Sequence, residues 1–165
     1  MKKVLALSLL VLPLCAQDAI LADAKQQWTS AKTNILKAAQ KFDESKYGYK
    51  ASAEVRTFGG FVGHIADASV MFCSAVLGEK KAATASKLTA KADLVKALED
   101  AFAYCDSAHA SLSGAKAAET VKFFGSDRSK VGVLFFNNMH VYEHYGNLVT
   151  YMRANGVVPP SSERN

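Results

Sequence analysis

In four stretches of this chain apolar residues return every three or four positions, the step that lines one face of an α-helix. No stretch competes with the period of two that a half-buried strand requires. Ile20, Ala24, Trp28, Ala31, Ile35, Ala38 and Phe42 form the first stripe, with Asp18 as its expected N-cap. After the turn-like run Lys46-Tyr47-Gly48-Tyr49, Phe58, Phe61, Ile65, Ala68, Phe72 and Val76 form the second, which Gly78 should stop. The third starts from Thr89 as cap and steps through Leu94, Leu98, Ala101, Cys105, Ala108 and Leu112, with Gly114 at its end. The fourth is expected from about Asp127 to Asn155, closed by Gly156 and followed by Pro159 and Pro160. Residues 79–88 read as a polar connection, and 115–126 as a loop with a short extended piece around Val121 to Phe124. Helices with one apolar face must bury those faces on each other, so the expected fold class is all-α, an antiparallel or crossed four-helix bundle.

The first residues bear on compartment. Met1-Lys2-Lys3 followed by an apolar run from Val4 to Leu14 has the basic and hydrophobic parts of a secretory signal, and the run is too short to span a bilayer. Residues 1–16 are therefore expected to be a signal peptide and 17–165 a single exported domain, periplasmic or secreted, with no stable membrane span. Lipid anchoring at Cys15 is the weaker alternative, because bulky Leu14 stands where a small residue is wanted. Losing residues 1–16 removes two lysines and lowers the net charge from +5 to +3. The remaining lysines are scattered among acids and alanines, which excludes a nucleic-acid surface.

The chemistry concentrates on histidine. His140 and His144 are four residues apart, which on a helix stacks them on one face about 6 Å apart along the axis. They lie on one edge of the fourth stripe together with Asn137, Asn147 and Tyr151, and His64 borders the second stripe in the same way. Taken singly, each would read as a hydrogen-bonded boundary residue; together they make a candidate metal set. Three neutral imidazoles leave coordination positions open and suit Zn²⁺, Ni²⁺ or Fe²⁺ better than Ca²⁺ or Mg²⁺. Asp67 and Glu143, each three residues after a ligand histidine, are candidate outer partners or proton carriers, and Asn147 and Tyr151 candidate substrate-orienting groups. For Glu143 a solvated helix carboxylate is the preferred alternative.

Cys73 and Cys105 are open to two readings. Parallel neighbouring helices would bring them to similar heights, whereas antiparallel ones would part them by roughly 20 Å. A disulfide and two buried thiols are thus both consistent with the sequence. Cys105 and His109 share a face of the third helix, where packing outweighs a nucleophile and base. No nucleophile elbow, phosphate loop or dinucleotide fingerprint is present.

The run from His140 to Ser162, with His144, Arg153, Gly156, Pro159 and Pro160, resembles the C-terminal helix and tail of the DinB-like (DinB/YfiT) superfamily. Val55-Arg56-Thr57-Phe58-Gly59-Gly60-Phe61-Val62-Gly63-His64-Ile65-Ala66 resembles its second helix. The resemblance implies an up-down-down-up bundle, a divalent metal on His64, His140 and His144, and a homodimer. It also implies a metal-dependent enzyme, either a hydrolase or a transferase using low-molecular-weight thiols. The substrate is an unidentified small molecule, and a non-catalytic exported metal- or small-molecule-binding bundle is the alternative.

Overall fold

The computed structural model describes residues 12–163, and within them four long helices form the bundle: α1 (Leu12–Lys41), α2 (Phe58–Leu77), α3 (Lys91–Ser111) and α5 (Lys130–Ala154). A short helix α4 (Gly114–Ala118) and a hairpin of β1 (Thr120–Phe123) and β2 (Ser126–Ser129) separate α3 from α5. Residues 1–11 of the expected signal segment lie outside the described residues, and 12–16 form the start of α1.

The stripes pack as their spacing predicts. Ala24, Trp28, Ala31, Ile35, Ala38 and Phe42 of α1 are all buried, although Ile20, at the head of the stripe, is 48% exposed. Asp18 is not a cap: α1 already runs through it from Leu12, since Pro13 in the first turn is tolerated where its missing N–H has no intrahelical partner. Both ends of α2 fall where their residues dictate. Thr57 Oγ1 accepts from the Gly60 N–H at 2.9 Å, and Gly78 closes the helix in the left-handed conformation at φ 72°.

The ends of α3 differ from expectation. The helix begins at Lys91 after Ala90, and Lys91 Nζ donates to the Gln40 and Phe42 carbonyls at 2.8 and 2.7 Å, so its side chain satisfies the frayed end of α1 instead. It stops at Leu112, which is extended, and Gly114 opens α4 rather than closing α3. Asp127 belongs to β2, not α5. The true N-cap of α5 is Ser129, whose Oγ accepts from the Gly132 N–H at 3.1 Å. Between the strands Phe124 and Gly125 both have positive φ, 47° and 78°, as a two-residue hairpin turn demands.

Contacts between helices set their directions. Trp28 Nε1, midway along α1, donates to Asp106 in the last third of α3, while Phe42 just past the end of α1 meets Lys91 at the start of α3, so α1 and α3 are antiparallel. Asn138 reaches the Ala24 carbonyl at 2.9 Å and Lys41 the Val158 carbonyl at 3.1 Å, so α1 and α5 are parallel. Across α2 and α5, Phe72 packs on Phe136 and Tyr151 bonds Arg56, which is antiparallel. Between α2 and α3, Gly59 lies against Leu94 while Cys73 and Cys105 form a disulfide with Cα atoms 5.3 Å apart. The α2–α3 pair is therefore parallel, the arrangement in which the two cysteines come level, and Cys105 is withdrawn from any nucleophilic role.

α2 is long and apolar enough to cross a membrane by length and composition, but it is largely buried within the bundle. Its glycines are part of how it fits. A Cβ on Gly63 would stand 2.9 Å from the Ala85 carbonyl oxygen, because the connection between α2 and α3 folds back directly over this residue. Gly63→Ala should therefore lower stability by about 1–3 kcal/mol through overpacking against backbone. Gly48→Ala, where a Cβ meets nothing within 4 Å, should be close to neutral. Chemical denaturation of the two variants checks this; equal midpoints would show that the connection yields freely.

Candidate metal centre

α2 and α5 run antiparallel with their apolar faces together, and this brings the boundary residue of one against the boundary residues of the other. His140 Nε2 lies 3.2 Å from His64 Nε2 and 3.1 Å from His144 Nε2. One ligand atom from each of the three histidines lies within 4.8 Å of the others. Among the described residues this is the one group of three or more histidine, cysteine or acidic side chains so gathered.

Hydrogen bonding alone leaves this contact incomplete. In a neutral imidazole each ring nitrogen offers either one proton or one lone pair, so His140 Nε2 can satisfy one close neighbour but not two. A shared cation resolves the conflict. Two imidazole nitrogens 2.0–2.1 Å from one tetrahedral ion stand about 3.3 Å apart, close to the spacings found here. The three residues therefore fit a divalent transition metal by donor type and by spacing, and the cluster as such does not select which ion.

The surroundings keep the imidazoles neutral. Burial pushes His140 down to about 4, helped by His144 and His64 beside it and by the Arg56 guanidinium. His64 is lowered by burial first and then by Arg56, against the opposing pull of Asp67 and Glu143. His144 is lowered by burial and by His64, with Glu143 opposing. Metal ligands must present lone pairs, so this electrostatic setting is the one a cation site needs.

Aromatic rings wall the cluster. Phe61 stands 5.5 Å from His144 and Phe72 5.3 Å from His140, between ring centroids. The Asn147 amide lies 3.3 Å from His144 Nδ1, on the ring edge away from the cluster, where it orients that imidazole. His140 Nδ1 is buried without a protein partner among the described residues.

The other expected site residues are placed differently. Both Asp67 oxygens accept backbone N–H groups, from Ala85 at 2.7 Å and Ser86 at 2.9 Å, so this carboxylate anchors the α2–α3 connection. Tyr151 is buried and its hydroxyl donates to the Arg56 carbonyl at 2.7 Å. It positions backbone rather than facing a ligand. Glu143 is exposed on the rim of an open cleft of about 720 Å³ that His144, Asn147, Phe61 and Arg56 also line. Arg56 is the residue that periodicity could not have singled out: it precedes the Thr57 cap and belongs to no stripe.

The fold has relatives. A model of the DinB family matches residues 20–164. The chain belongs to the DinB family. Its fold is similar to that of a DinB-like protein from Bacillus cereus, at TM-score 0.73 and 16% identity over 83% of this chain and 93% of that one. A DinB-like protein from Bacillus subtilis gives TM-score 0.70 at 20% identity, covering 87% of this chain and 99% of that one. A mycothiol-dependent maleylpyruvate isomerase gives 0.66 at 18% identity, covering 78% of this chain and 60% of the isomerase. No curated protein matches the sequence.

His109, the histidine outside the cluster, stacks on Trp28 with centroids 5.4 Å apart and is 8% exposed, with Nε2 lacking a protein partner among the described residues. Burial pushes it down to about 4 despite Asp106 nearby. Its folded value lies below the unfolded one, so the unfolded chain takes up the proton first. The stability it contributes is complete above about pH 6.5 and is lost as pH falls towards 4, up to about 2–3 kcal/mol. In metal-free protein the thermal midpoint should therefore fall over that window, and His109→Leu should flatten the fall. An unchanged pH profile in the variant would contradict the assignment.

Proposed function

We propose that this DinB-family protein is a divalent-metal-dependent enzyme of the hydrolase or thiol-dependent transferase type. Its ion, Zn²⁺, Ni²⁺ or Fe²⁺, would be held by His64, His140 and His144. The observation that carries the reading is the convergence of three Nε2 atoms that hydrogen bonds alone do not satisfy. An ion held by three neutral nitrogens supplies Lewis acidity to a group presented at its open side.

This chain's residues do the rest. Asn147 fixes the ring of His144, and Phe61 and Phe72 limit water around the imidazoles. Glu143, on the rim beside His144, carries protons between the cleft and solvent. The cleft is of a size suited to a small molecule. The thiol-dependent side of the reading draws support from the fold shared with the mycothiol-dependent isomerase. Export is part of the same proposal and rests on the basic and apolar residues 2–14, and dimerisation rests on the family likeness.

Elemental analysis of protein purified without a histidine tag tests the central step. Wild type should carry about one divalent transition metal per chain, and His140→Ala should lose most of it, since second-sphere changes alone cost 10–100-fold in affinity and a ligand costs more. Unchanged metal content in the variant would remove the three-histidine assignment.

A further inference from the structure

The cleft beside His144 holds four charged groups, Lys50, Glu54, Arg56 and Glu143. Among the described residues none of the four forms an ion pair. Arg56 lines the same cleft as His144, and its carbonyl accepts a hydrogen bond from the buried Tyr151 hydroxyl. Its side chain is exposed at the cleft beside the cluster, where it can meet an anion presented from solvent. Three neutral nitrogens would leave the full charge of a divalent ion in place, and Arg56 adds to it. The exposed Glu143 answers part of this charge from the rim, without touching Arg56.

We propose that Arg56 is a specificity-determining residue that seats the carboxylate of a small organic acid while another group of the same molecule faces His64, His140 and His144. A planar guanidinium offers a carboxylate two parallel N–H donors, which a neutral substituent cannot use equally. Tyr151 then acts as a positioning residue, since its bond to the Arg56 carbonyl sets where that fork begins. The inference rests on the metal reading above and narrows it from an unspecified small molecule to an anionic one.

Cobalt-loaded protein tests it without turnover. The thiol of mercaptopropionate and that of mercaptopropanol bind cobalt alike and differ at the far end in charge, and each titration is read from the thiolate-to-cobalt charge-transfer band. Wild type should prefer the acid by roughly tenfold. Arg56→Gln should abolish the preference while retaining cobalt, and Arg56→Lys should restore part of it. An equal preference in Arg56→Gln, or no preference in wild type, would overturn the role of Arg56 and leave the metal reading standing. Failure of wild type to bind cobalt at the three histidines would overturn both.

Discussion

Helix α2 lies between α3 and α5, and its burial on both sides is the constraint from which the site follows. With 14 of its 20 residues buried, α2 has little freedom to slide or rotate. The disulfide from Cys73 to Cys105 ties it to a parallel α3, and Thr57 and Gly78 fix its two ends. Gly63 admits the backbone of the following connection, and Asp67 holds that connection by two N–H groups. His64 sits between these two residues, so its height is set by packing before any ligand is considered. The antiparallel α5 then presents His140 and His144 one turn apart to the same point.

Gathering three imidazoles costs free energy that the fold must offset. Each is partly or wholly removed from water, which displaces all three towards the neutral form; His64 adds to this at His144, and His144 and His64 add to it at His140. A protein with no use for lone pairs would gain more from apolar residues at these positions. Aromatic neighbours instead close over the cluster while leaving His144 on an open cleft. The structure thus maintains an arrangement that a shared cation would make favourable.

Much of this was legible in the residues. Although the Thr57 cap of α2 was not singled out, the end of that helix was readable because a left-handed glycine is a local device. The start of α1 was not, because nothing between Leu12 and Asp18 breaks a helix, so the aspartate had no terminus to cap. Hairpin strands of four residues joined by Phe124-Gly125 lack the usual Asn-Gly signal and escaped notice except as an extended piece around Val121. The histidines stood out through spacing and stripe edges. The employment of Asp67 and Tyr151 on backbone groups depends on segments 18 and 95 residues away, which no local pattern reports. Arg56 was hidden for the same reason.

The most direct test is a crystal of the metal-loaded protein measured across the absorption edge of its ion. The account predicts one anomalous peak per chain, bonded to Nε2 of His64, His140 and His144 at about 2.0–2.1 Å, with a remaining coordination position facing the cleft. A peak elsewhere in the molecule, or an ion that one of these histidines does not touch, would contradict it.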